Sequence, residues 1–118
     1  MNKWFLLLAL SILAFALLRS RGDLSPEEAA QLASHGARII DVRSPAEYAT
    51  GHIPEAVNIP LSELSARVDE LGEKSQPLIL YCYSGGRSKR AATLLQQAGF
   101  SAVHNLGAMS RWPGEVTR

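Results

Sequence analysis

"LILYCYSGGRS", residues 78–88, joins an unbroken apolar run to the chain's single cysteine, a glycine pair and an arginine. A short continuous apolar run bounded by turn residues reads as a strand buried on both faces, which is the habit of central strands in parallel sheets. Residues 78–82 are that strand. Residues 88–98 follow as a helix that turns Ala91, Ala92, Leu94, Leu95 and Ala98 toward the core, and Gly99 ends it. The thiol of Cys82 therefore falls where a strand hands over to a helix.

Working outward, the same alternation recurs. Ser25-Pro26-Glu27-Glu28 and Ser44-Pro45-Ala46-Glu47 both have a capping serine, a proline at the first helical position and a glutamate at the third. The first opens a helix that runs to about Ser34 and stops at His35-Gly36. The second opens a shorter one. Strands are predicted over 38–42, 56–59 and 101–106, and Leu61, Leu64, Val68 and Leu71 recur at helical spacing until Gly72. "MSRWPG" adds a final turn. Short apolar strands separated by helices call for an α/β domain, a parallel sheet covered by helices on both faces, because right-handed crossovers place helices there.

The amino end is a different kind of sequence. From Trp4 to Leu18 every residue but Ser11 is apolar, with Lys3 before the run and Arg19 and Arg21 after it. Such a segment seeks a membrane; it is shorter than the ~20 residues of a full span, and snorkelling of Lys3 and Arg19 extends it. We read it as a retained anchor in preference to a cleaved signal peptide. The small-residue pattern Ala14-Phe15-Ala16 lies inside the apolar run instead of after it. A buried core helix fits less well, since the run lacks a polar stripe. The flanking charges favour a cytoplasmic domain by a small margin.

Composition removes several function classes. The chain has 118 residues, 47% of them hydrophobic, which suffices for one core. A net charge of +1 does not supply the basic excess of a phosphate-tracking surface, so nucleic acid is not an expected partner. One cysteine excludes an internal disulfide, a C-x-x-C redox pair and a thiolate-rich zinc site. His35 and His104 stand in no metal-ligand pattern, and no metal is assigned.

What remains for Cys82 is inert packing or nucleophilic chemistry. Free cysteine packs well as a small hydrophobe, and the strand alone would favour that. The residues after it point the other way. Ligands of open parallel sheets bind beyond the carboxyl ends of the strands. There Gly85 and Gly86 let the loop curl its amides toward one point, and the following helix adds its positive end. A thiolate in that setting is stabilised well below the free value of ~8.5. Arg87, Lys89 and Arg90 crowd the same helix start, where cations oppose the dipole by ~0.3–1 kcal/mol each and call for an anion. Arg87 is the first choice for anion binding or loop support; Lys89 and Arg90 read equally well as ligand contacts or as solvated helix surface.

Over residues 24–112 the chain resembles the single-domain rhodaneses, the sulfurtransferase family. The stretches that carry the resemblance are "IIDVRSPAEYATGHIPEAVNIP", "LILYCYSGGRSKRAATLLQQAGF" and "VHNLGAMSRWP", in that order. The resemblance implies a rhodanese-like α/β fold with a central five-stranded parallel sheet. With the apolar amino end read above, the chain divides into an anchor or signal-like segment over 1–19, a linker over 20–23 and the domain over 24–118. The resemblance also implies catalysis by Cys82: the thiolate takes the sulfane sulfur of an anionic donor such as thiosulfate, becomes a persulfide, and passes that sulfur to cyanide or a thiol. A protein is a further candidate acceptor. The amides of Tyr83, Ser84, Gly85, Gly86, Arg87 and Ser88 would cradle the persulfide, and neither metal nor organic cofactor is implied. Asp41, Arg43 and Glu47 match the family's supporting residues, with an Arg43 to Glu47 pair expected to brace the loop. His52 invites a general-base role but reads better as a hydrogen-bonded turn residue, and Trp112 as packing.

Two positions depart from the family pattern. Tyr83 stands where many thiosulfate-using members carry a basic or small residue, and Ala108 replaces the second glycine of the closing motif. Cell-cycle dual-specificity phosphatases share the fold but need five residues between cysteine and arginine. Here only Tyr83, Ser84, Gly85 and Gly86 intervene. A membrane-tethered interaction module or sulfur carrier with little turnover is the remaining alternative.

Overall fold

A computed structural model describes residues 24–118. Its four parallel strands, β1 (Arg38–Asp41), β2 (Val57–Asn58), β3 (Leu78–Cys82) and β4 (Val103–Ala108), lie in the order β2-β1-β3-β4. The helices are α1 (Pro26–Ser34), α2 (Pro45–Thr50) and α3 (Gly86–Gln97), with 3₁₀ segments over Leu61–Leu71 and Met109–Arg111.

Side chains of β3 alternate between two cores, as pleating requires. Leu78, Leu80 and Cys82 face one side with Ile40 and Val42, covered by Ala91 and Leu95 of α3 and by Leu64 and Leu71. Ile79 and Tyr81 face the other with Ile39 and Leu106, covered by Ala29 of α1 and by Ile53. All five β3 residues have no exposed surface, and a leucine or isoleucine buried this way contributes roughly 1.5–3 kcal/mol. The strand read as doubly buried is the centre of the molecule.

Both serine-proline-glutamate starts form reciprocal capping boxes, Ser25 with Glu28 and Ser44 with Glu47. The segment read as an ordinary helix over 61–71 is instead 3₁₀, kinked at Arg67. Its apolar residues are spaced three, four and three apart. A three-residue turn loses register at the four-residue step, and that step spans Arg67, whose guanidinium reaches both Glu63 and Glu70.

The sheet has four strands among the described residues, not the five that the family resemblance implied. At the outer edge of β4 the Leu24 amide donates to the Asn105 carbonyl at 2.7 Å, and no other strand among the described residues pairs with that edge. The segment 1–19, read as an anchor, and the linker over 20–23 lie outside the described residues. No helix among the described residues is long and apolar enough to cross a membrane.

Candidate active site

Cys82 ends β3, and the chain then passes through Tyr83 and Ser84 to Gly85, whose φ of +106° places it in the left-handed region open to glycine. The loop rests directly on β4: a Cβ built on Gly85 would meet the Gly107 Cα at 3.6 Å. Gly107 takes a φ of +91° beside a register shift in the β3–β4 pairing, and its amide donates to Asn105 Oδ1 at 3.0 Å. Ala108 has ordinary extended backbone, φ −78° and ψ 138°. The alanine that departs from the family pattern therefore carries no strain.

Helix α3 begins at Gly86, two residues before the predicted start at Ser88. The reason is local. An N-terminal cap normally supplies a side-chain oxygen to the amide of the second or third helical residue. Gly85 has no side chain to offer, and the Cys82 sulfur takes that place. It accepts from the Gly85 amide at 3.0 Å and from the Ser88 amide at 3.4 Å, while its Sγ–H lies 3.5 Å from Ser88 Oγ. The Ser88 hydroxyl in turn donates to the Gly85 carbonyl at 3.1 Å.

Two influences oppose each other on the thiol. Burial, the largest single effect, pushes its pKa up; the bonds from the Ser88 hydroxyl and from the Ser88, Gly85 and Arg87 amides together outweigh it, and the net shift is downward. Of the six amides expected to cradle sulfur, those of Gly85, Arg87 and Ser88 act on it. Tyr83, Ser84 and Gly86 are exposed along the rim. Tyr83 is 69% exposed, whereas Cys82 has no exposed surface.

The supporting residues pair differently from the expected Arg43 to Glu47 bridge. Arg43 is bound by Asp41, Nη2 to Oδ2 at 2.7 Å, and by the Gly51 carbonyl, also at 2.7 Å. Glu47 instead grips Arg87: Oε1 accepts from Nη1 at 2.6 Å and Oε2 from Nη2 at 2.9 Å. The physical reason lies in the capping box. Glu47 Oε1 is held back over the start of α2 by the Ser44 amide at 3.1 Å and the Ser44 hydroxyl at 3.0 Å, which aims the carboxylate at the β3–α3 loop. The Arg87 guanidinium, foremost, holds the Glu47 carboxyl down at about 2. Arg87 is thus fastened to the scaffold while its amide serves the sulfur.

Two supporting neighbours escaped the sequence. Tyr81 is fully buried, accepts the Ile53 amide at 3.0 Å through its hydroxyl, and lies under the Arg43 guanidinium at 5.6 Å. Asn58 donates to the carbonyls of Asp41 and Arg43. A tyrosine inside an otherwise aliphatic strand and an asparagine closing a two-residue strand were the available signals. His52 stacks on Tyr48 with ring centroids 3.7 Å apart and bonds its carbonyl, as a turn residue should. Trp112 packs against the α1 side of the sheet.

Known proteins match this arrangement. The family model for the rhodanese-like domain covers residues 25–115. YqhL, an uncharacterized protein of Bacillus subtilis, is 43% identical over 81 residues, which is 68% of this chain and 64% of that one. The chain is 37% identical over 92 residues to thiosulfate sulfurtransferase GlpE of Pseudomonas paraeruginosa, 75% of this chain and 81% of GlpE. The human single-domain sulfurtransferase TSTD1 superposes with a TM-score of 0.65 at 34% identity, covering 76% of this chain and 93% of that one. With its parallel sheet, its cysteine at the β3–α3 turn and a family match across the described domain, this chain belongs to the rhodanese-like domain family.

Proposed function

We propose that the chain is a sulfurtransferase that moves a sulfane sulfur from an anionic donor of the thiosulfate type to a thiol or cyanide through a persulfide on Cys82. The observation that carries this reading is the convergence of the Gly85, Arg87 and Ser88 amides and the Ser88 hydroxyl on one sulfur, with a net lowering of its pKa. A group of fixed dipoles around a sulfur stabilises negative charge there without reorganising during reaction. The naming of GlpE as a thiosulfate sulfurtransferase supports the same chemistry.

In the first half-reaction the Cys82 thiolate attacks the outer sulfur of thiosulfate. A Cys82–S bond forms, the S–S bond of thiosulfate breaks, and sulfite leaves with the bonding pair. In the second, cyanide or a thiolate attacks the outer sulfur of the persulfide, and Cys82 departs as thiolate. Two half-reactions on one covalent intermediate give ping-pong kinetics. Because Cys82 is fully covered, the donor reaches it as the exposed rim of Tyr83, Ser84 and Gly86 yields.

Mass spectrometry of the purified chain tests the proposal. Thiosulfate should add the mass of one sulfur, cyanide should remove it, and Cys82→Ser should show neither change. A wild-type chain left unmodified by excess thiosulfate would refute the reading.

A further inference from the structure

We propose that the first two turns of α3 form a docking surface for an acidic polypeptide whose cysteine accepts the sulfur. The inference rests on the sulfurtransferase reading and names its acceptor. Arg87, Lys89 and Arg90 stand in the opening turn of α3, and none of that helix's twelve residues is acidic. Arg87 is spoken for by Glu47. Lys89 and Arg90 are exposed and make no ion pair among the described residues. Cations at a helix amino terminus oppose its dipole, so these two do not serve the helix and are free to meet a negative partner.

Lys89, Arg90, Thr93, Leu94 and Gln97 bound a shallow, open groove of about 360 Å³ along one face of α3, long enough for a chain segment to lie on. From Lys89 to Gln97 it follows about 12 Å of helix axis at 1.5 Å per residue. Charges lie at the end nearest the Cys82 loop, and Leu94 lends an apolar contact further along. Tyr83, exposed on the rim, offers an aromatic contact next to the thiol. A partner laid along this groove would bring a thiol to the loop at the carboxyl end of β3. Its thiolate attacks the outer sulfur of the Cys82 persulfide, forms the new S–S bond, and releases Cys82 as thiolate.

The test compares the full-length wild-type chain with Lys89→Glu/Arg90→Glu, both preloaded with thiosulfate. Persulfide discharge is timed by quenched-flow mass spectrometry against three thiols: a short peptide with a central cysteine flanked by glutamates, glutathione, and 2-mercaptoethanol. The acidic peptide should discharge the wild type about tenfold faster than the variant, and that advantage should shrink as salt rises. Glutathione and 2-mercaptoethanol should discharge both proteins at matching rates. Comparing proteins on one peptide removes differences in thiol acidity between acceptors. Equal peptide rates in the two proteins would overturn the docking surface alone. An equal advantage with glutathione would overturn it in favour of a small-anion site. Salt-sensitive preference for phosphatidylglycerol over phosphatidylcholine vesicles, lost in the variant while peptide rates match, would overturn it in favour of a lipid surface. Failure of thiosulfate to load either protein, or of cyanide as well as all three thiols to discharge them, would overturn the sulfur-transfer reading and this proposal with it; discharge by cyanide alone would overturn only this proposal.

Discussion

Ser88 reaches the Cys82 sulfur twice, by its amide and by its hydroxyl, and the hydroxyl has a second partner in the Gly85 carbonyl. In the neutral thiol the Ser88 hydrogen goes to Gly85 and the oxygen accepts from sulfur. On ionisation, rotation of the hydroxyl hydrogen toward sulfur supplies one more donor to the anion. Hydrogen bonds to charged groups are worth about 1.5–3 kcal/mol, so Ser88→Ala should slow persulfide formation on the acid side of the titration by roughly tenfold or more. Its pH profile for alkylation by iodoacetamide should move to higher pH. The direction of the stability effect follows from the lowered native pKa: the ionised sulfur stabilises the fold above the free thiol value, and that contribution is lost as pH falls through the native one. An alkylation profile identical to wild type would assign the anion to backbone donors alone. At this scale the place of the candidate nucleophile was legible, since the lone cysteine stands before two glycines where an apolar strand ends. The double role of Ser88 was not, because it depends on the helix starting at Gly86 and using sulfur as its cap.

Helix α2 is six residues long, yet its first turn fixes the active-site loop. The one carboxylate of Glu47 closes the capping box and clamps Arg87, coupling local helix formation to a contact forty residues away. Glutamine also closes a capping box, so two substitutions separate the functions. Glu47→Ala should cost roughly 1–2 kcal/mol, the sum of a lost cap and a partly exposed ion pair. Glu47→Gln should cost less than about 1 kcal/mol, because only the ion pair goes. Urea unfolding midpoints would measure both, and equal losses would show that the charge, not the cap, dominates. With Glu47 depressed from 4.5 to about 2, its contribution is complete above 4.5 and fades as pH drops toward 2. The wild-type excess over Glu47→Gln should shrink across that window. Elements with strong local chemistry were legible before the structure: both capping boxes, the apolar β3 and the alanine-rich face of α3. The partner of Glu47 was not, because two arginines compete for it in sequence and only the fold buries one of them against Asp41.

Across the whole molecule the sheet separates two kinds of support. Cys82 shares its face with Val42 and Ile40, whereas Tyr81 lies on the opposite face with Ile53 and Leu106. Asp41, the last residue of β1, turns to the Tyr81 side, where it meets Arg43 and the chain reaching back through Gly51. Two-core layering and the four strands, read over 38–42, 56–59, 78–82 and 101–106, were legible from the alternation of helix and apolar strand; the count of five came only from the family resemblance. The layering predicts that the Asp41–Arg43 pair holds the scaffold without tuning the thiol. The pair is nearly solvent-free, its side chains 0% and 3% exposed, so removing one partner strands a buried charge. Arg43→Ala should therefore cost about 3–5 kcal/mol in urea unfolding, a large share of a typical 5–15 kcal/mol domain stability. Replacing both by apolar residues, Asp41→Leu with Arg43→Met, should recover most of that loss, because no charge is left without its partner. In either variant the folded fraction should titrate Cys82 with the wild-type profile, as its hydrogen-bond donors are Gly85, Arg87 and Ser88 and neither Asp41 nor Arg43 is among them. A displaced thiol profile in the apolar double variant would show that the two faces communicate, and Asp41 and Arg43 would then act on the reaction through the sheet.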